Sequence, residues 1–100
     1  MENIVVVFKA PGFTSKDYDK VWDDLKAAGQ STPKGLLSHV GFAHPDGDWM
    51  VVDVWESAEA FGDFGKTLLP ILQGTGVNVP QPTVVPAHYF YQAQTESAMA

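Results

Sequence analysis

Within the stretch HVGFAHPDGDWMVVDVWES (residues 39–57), His39 and Asp53 sit inside runs that are otherwise apolar and strand-like. A histidine held by a carboxylate has its tautomer, ring orientation and basicity set for it, which suits a general base or acid. The same pair has a plain structural meaning, because a polar group buried in a sheet must find a partner. His39 as base and Asp53 as its orienter are therefore the candidate catalytic residues, with a cross-strand structural pair as the other reading. Trp49 and Trp55 bracket Asp53 and would supply aromatic walls to a substrate pocket. His88 lies in the aromatic run AHYFY and either reaches the same cavity or is simply packed or exposed, while His44 reads as a solvated turn residue.

Other chemistries lack support. The chain has no cysteine, so disulfides, thiolate metal sites and thiol nucleophiles are excluded. Metal binding by His39, Asp53 and His88 has no ligand-spacing motif behind it. No glycine-rich phosphate loop precedes a helix, since GTG at 74–76 follows one, and no acids are spaced for glycosidase work. No cofactor is expected.

Composition narrows the partners. The chain has 100 residues, 12 acids against 6 bases and a net charge of −6, and every base is a lysine. Bidentate clamps on phosphate or carboxylate favour arginine, so nucleotide-phosphate recognition is disfavoured. An acidic surface also disfavours nucleic acid and anionic membrane. The first residues, MENIVVVFK, lack the pattern of a secretory leader. No apolar run approaches the ~18 residues of a membrane span. A cytoplasmic location fits these features.

The elements that must position the pair follow from local pattern. Residues 3–9 read as a strand covered on both faces. Thr14 caps a helix, with Asp17 in the capping-box position, Tyr18, Val21, Trp22 and Leu25 as its apolar stripe, and Gly29 as its stop. Residues 36–44 and 48–56 form a hairpin about Pro45-Asp46-Gly47. Ser57 caps a second helix with Phe61, Phe64, Leu68, Ile71 and Leu72 buried, and Pro70 is expected to break or kink it near Leu69. Residues 83–91 form a last strand, with Pro86 marking a sheet edge. Residues 1–91 make one domain, and 92–100 form a small polar tail, frayed or draped over a neighbour.

The order β-α-β-β-α-β is the ferredoxin-like α+β arrangement, a four-stranded antiparallel sheet with two helices on one face. A three-residue Pro-Asp-Gly turn pairs His44 with Asp48, Ala43 with Trp49, Gly41 with Val51 and His39 with Asp53, with Leu37 facing Trp55. Side chains alternate, so Leu36, Val40, Phe42, Met50, Val52 and Val54 share the opposite face. That apolar set is expected beneath the helices, with His39 and Asp53 on the face away from them. A sheet apolar on both faces needs a second cover, and another copy of the chain is the simplest one.

The run VVDVWESAEAFGDF, joining third strand to second helix, resembles the dimeric α+β-barrel superfamily, and within it the antibiotic-biosynthesis-monooxygenase type of domain. The resemblance covers residues 3–91. It implies a homodimer whose two sheets pack face to face, with a cavity between sheet and helices or along the barrel interior. Members of that superfamily include cofactor-independent monooxygenases acting on polycyclic phenols, quinol oxygenases, haem-degrading enzymes, isomerases and cyclases. The haem-degrading members use an asparagine in the first strand, a tryptophan ending the third and a histidine on the second helix. Asn3 and Trp55 match the first two, but the helix around Phe64-Gly65 has no histidine, leaving His39 or His88 as conceivable substitutes.

These readings lead to three expectations. One is an oxidoreductase-like enzyme, an oxygenase, isomerase or cyclase acting without metal or flavin on a small aromatic or polyketide-like molecule. In that case His39 is the base, Asp53 its orienter, and Trp49, Trp55, His88 and Asn3 line the pocket. The second is a non-catalytic hydrophobic-ligand-binding or stress-related dimeric module. The third is a structural dimer with a filled interior, whose free volume would fall well below the ~300 Å³ typical of small-molecule sites.

Overall fold

The computed structural model describes residues 2–93. Strand β1 (Ile4–Ala10) leads to helix α1 (Ser15–Ala27). Strands β2 (Leu36–Ala43) and β3 (Trp49–Trp55) follow, then helix α2 (Ala58–Gly74) and strand β4 (Thr83–Pro86). The sheet runs β2-β3-β1-β4, every neighbouring pair antiparallel. The ferredoxin-like order expected from the pattern is present.

Local chemistry sets the ends of these elements. The Thr14 hydroxyl accepts from Asp17 N (3.2 Å) and the Asp17 carboxylate accepts from Thr14 N (3.0 Å), a reciprocal capping box. Gly29, at φ +83°, ends α1: its N–H reaches Lys26 O, and Gln30 N–H reaches Leu25 O at 2.8 Å. Ser57 caps α2 through its hydroxyl and Ala60 N (3.1 Å). Pro70 does not break α2, which continues through it to Gly74. The carbonyl that Pro70 leaves unbonded belongs to exposed Lys66, where water can satisfy it.

The hairpin forms in the expected register. His44 N–H donates to Asp48 O (2.8 Å), Gly47 N–H donates to His44 O (2.9 Å), and Gly47 takes φ +98°. Beyond it, Ala43 pairs with Trp49, Gly41 with Val51 and His39 with Asp53. An irregularity between Leu36 and Ser38 shifts the far end, so Leu36, not Leu37, pairs with Trp55.

The assignment of the two faces is reversed. Both helices cover the face that carries Ile4, Val6, Ala10 and Trp55, together with His39, Trp49 and Asp53. Val21 and Leu25 of α1 and Phe64 of α2 close this core. Trp55, Leu25 and Val6 are sealed most completely, each worth roughly 1.5–3 kcal/mol of apolar burial. The set that includes Val40, Phe42, Met50 and Val52 faces outward with Val5, Val7 and Lys9. Val40 is 52% exposed and Phe42 38%. The His39–Asp53 face takes the helices because α1 brings Tyr18 and Trp22, whose polar tips and rings match it.

The last strand is shorter than residues 83–91, ending at Pro86. The chain then reaches β2 at the other edge of the sheet, where Gln92 Nε2 donates to Leu37 O (3.1 Å). The rest of the expected tail, residues 94–100, lies outside the described residues. No helix among the described residues is long and apolar enough to cross a membrane.

Candidate functional site

The site is built across the middle of the sheet, under α1. Cross-strand pairing sets His39 opposite Asp53, and Asp53 in turn opposite Val6. His39 Nδ1 lies 2.5 Å from Asp53 Oδ1, and Asp53 is only 5% exposed. The other carboxylate oxygen accepts from the indole N–H of fully buried Trp55 (3.2 Å). Both oxygens of Asp53 are thus engaged, as a buried carboxylate requires.

The second nitrogen of the imidazole is also occupied. Tyr18, from the first turn of α1, places its hydroxyl 2.5 Å from His39 Nε2, with the two rings within 9° of parallel. Burial is the main cause that raises the Tyr18 pKa above its ordinary 10.0, reinforced by the charges of Asp53 and Asp19 and partly opposed by the Trp22 indole. The phenol therefore keeps its proton at neutral pH and donates it to Nε2. That leaves Nδ1–H to donate to Asp53, so tautomer and ring orientation are fixed from both sides. The donors run in one direction from Tyr18 through His39 to Asp53, and Trp55 donates to Asp53 from the far side.

Aromatic rings surround this row. Trp22 meets the imidazole edge-on at 5.2 Å and 75°, and Trp49 lies 5.1 Å from the Tyr18 ring. A cavity of about 70 Å³ adjoins His39 and Asp53, with Phe8, Trp49, Val51 and Leu72 among its walls. The Trp49 indole nitrogen is buried without a hydrogen-bond partner among the described residues. The Trp49 side chain lines the cavity, so a small shift of its ring would offer this donor to an oxygen there.

The candidate residues sort as follows. His39, Asp53 and Trp49 come together at the cavity. Trp55 does not line it; the ring is core, and its indole fastens Asp53 from behind. Asn3 is also absent from the cavity wall, and its backbone carbonyl accepts from Ala87 N (2.9 Å). His88 follows the early end of β4, is exposed and stands away from the cavity. His44 stays at the turn, its Nδ1 3.2 Å from Asp46 N. Among the described residues no group of three or more histidines and acids converges as a metal site.

Tyr18 and Trp22 read in sequence as a helix stripe, and their part in the site was missed. One signal pointed to it: Gly41, alone in the middle of an apolar strand. A Cβ at position 41 would lie 2.7 Å from Tyr18 Cε1 and 2.8 Å from its Cζ. The strand has no side chain there because the tyrosine ring lies on the backbone.

Comparison with known proteins places the fold. No family model matches the chain, and no curated protein matches it either. Among solved structures, a Chloroflexus aurantiacus J-10-fl protein with a provisional antibiotic-biosynthesis-monooxygenase name is 18% identical. That match covers 90% of this chain and 97% of the other, with a TM-score of 0.58. A mutant of SnoaB, a cofactor-independent oxygenase from Streptomyces nogalater, is 17% identical over 88% of this chain and 93% of its own, with a TM-score of 0.59. Rv0793 from Mycobacterium tuberculosis is 14% identical over 94% and 100%, with a TM-score of 0.56. The chain has the fold of these solved antibiotic-biosynthesis-monooxygenase-type proteins.

Proposed function

We propose that this chain is a small-molecule enzyme of the monooxygenase-like type, acting without metal or flavin on a small aromatic or polyketide-like substrate. The observation that carries the proposal is the His39–Asp53 pair, a base held at 2.5 Å by a buried carboxylate beside an aromatic cavity. His39 Nε2 takes the proton from a phenol or enol O–H, and Asp53 stabilises the imidazolium that forms. The resulting electron-rich anion reacts directly with dioxygen, held among apolar rings that keep water out. The unpartnered Trp49 indole N–H binds an oxygen of the substrate. SnoaB, one of the structures with this fold, is by name a cofactor-independent oxygenase.

The working unit is a homodimer. The outward face presents Val40, Phe42 and Val85 at 38–52% exposure, and a second copy covering it is the arrangement that this fold supports.

A free volume of about 70 Å³, far below the ~300 Å³ typical of small-molecule sites, favours a second reading. It suits a structural dimer with a filled interior better than a module that binds a hydrophobic ligand without turnover. Oxygen uptake with a panel of polycyclic phenols separates the readings. In an enzyme, His39→Ala loses at least ~100-fold in rate, the lower end of what a positioned base supplies, while the dimer persists. In a binding module, His39→Gln leaves ligand-induced quenching of tryptophan fluorescence nearly unchanged. Full activity in His39→Ala would end the assignment of His39 as the base, and no uptake by the native chain would end the enzymatic reading.

A further inference from the structure

The phenol of Tyr18 makes the contacts that a phenolic ligand at this base would need. Its O–H donates to His39 Nε2, and its ring lies against Trp49. The berth is specific, since any side chain at position 41 would strike the ring within 3 Å. Yet the phenol is not sealed in. Tyr18 is half-buried at the start of α1, and its hydroxyl bonds to His39 Nε2 with the Trp22 indole as a second polar neighbour. Its release would take a change of χ1 rotamer. Asp53 and Trp55, by contrast, are sealed in place. The cavity beyond is too small for an aromatic ring until this one leaves.

We propose that Tyr18 is a displaceable internal stand-in for the ligand: it occupies the binding position in the resting state, and a phenol or enol O–H replaces it at His39 Nε2. The inference rests on the base assigned under Proposed function but not on turnover. The ligand class follows from the donor pattern. Nε2 is held as an acceptor by Asp53 on the opposite nitrogen, so it takes a neutral O–H donor. A carboxylate would face a lone pair. On exchange the ligand O–H bond breaks, an N–H bond forms at Nε2, and the ligand is left as its anion beside the imidazolium–Asp53 pair. No oxidant is consumed in that step.

The test uses 4-nitrophenol, whose anion is yellow, titrated into the full chain and into Tyr18→Phe, which keeps the ring and removes only the competing hydroxyl. A net hydrogen bond of ordinary strength corresponds to about a 2- to 12-fold change in affinity. Tyr18→Phe is therefore expected to bind 4-nitrophenol tighter by that factor, with more bound anion. The gain disappears when His39→Gln is added, and 4-nitroanisole, which has no O–H, shows none. Equal or weaker binding by Tyr18→Phe, no binding by either protein, or an equal gain for 4-nitroanisole would each overturn the proposal. Tighter phenol binding without oxygen uptake in any variant upholds the stand-in and removes the enzymatic reading. His39-dependent uptake with unchanged phenol binding does the reverse.

Discussion

Asp53→Asn should reverse the direction of every hydrogen bond between the sheet centre and α1. The Trp55 indole nitrogen can only donate, and it is buried against Asp53 Oδ2 at 3.2 Å. An asparagine must therefore keep its oxygen toward Trp55 and turn its NH₂ toward His39 Nδ1. The imidazole then accepts at Nδ1, moves its proton to Nε2, and donates to a Tyr18 oxygen that now has to accept. Shape is retained while polarity is inverted. Hydrogen bonds to a charged group are worth about 1.5–3 kcal/mol and neutral ones about 1 kcal/mol. Exchanging two of them, less the relief from no longer burying a charge, leaves a loss of roughly 1–2 kcal/mol. For a domain of this size that lowers Tm by about 4–16 °C.

Two assays check the argument. Nitrogen-15 NMR of the imidazole reads the tautomer: proton on Nδ1 in the native chain, on Nε2 in the variant. Chemical denaturation reads the stability loss, with an unchanged m-value showing that the same surface is still exposed on unfolding. A native chain already protonated at Nε2, or a variant that keeps the native tautomer, would refute the directional row and the base assigned to it.

Two further outcomes follow from features outside the row. Val40→Lys places a charge on an outward side chain that is 52% exposed in one chain; native mass spectrometry should find monomer in place of dimer, with the monomer still folded. Asp46 at the hairpin tip is lowered from 3.8 to about 2, first by the backbone N–H of Asp48 and then by Lys9. A carboxyl depressed on folding stabilises above its unfolded pKa and loses that contribution as the pH falls through the folded one. Thermal unfolding of Asp46→Asn should therefore fall below the native chain at neutral pH, and the two curves should converge as the pH drops from 3.8 to about 2.

The elements and the hairpin register were readable because each has a local chemical cause. Thr14 with Asp17, Gly29, Ser57 and Pro45-Asp46-Gly47 act over three or four residues, and the structure uses each as expected. The pairing of His39 with Asp53 is the turn counted outward. Which face meets the helices is a tertiary matter, and the most uniformly apolar face was the wrong choice. The rule that such a face lies under the helices assumes one cover, whereas the outward face of this sheet remains apolar. A corrective signal lay in β1: Lys9 pairs with Met50, which marks the Met50 face as the one that looks outward, and Lys9 reaches Asp46 at 3.0 Å from there. Two others were the isolated Gly41 and a helix stripe built of Tyr18 and Trp22, both of which carry polar groups that need partners. The irregularity between Leu36 and Ser38 had no local signature, because it arises where β2 meets the end of β3.

The reversal of faces changes what a dimer would be for. Had His39 and Asp53 pointed away from the helices, the site would have needed a partner's sheet to enclose it, and a monomer would have been an exposed pair on a wet surface. As it stands, Tyr18, Trp22, His39, Trp49, Asp53 and Trp55 all come from one chain and meet under its own α1. The outward valines and Phe42 contribute no side chain to that row. Association and chemistry are therefore separable on this sheet: its two faces alternate residue by residue, and a substitution on one leaves the next residue's face untouched. A monomeric Val40→Lys variant that retained the native His39 tautomer would show that the site is complete in each chain, and that a second copy supplies cover for apolar surface and nothing to the base.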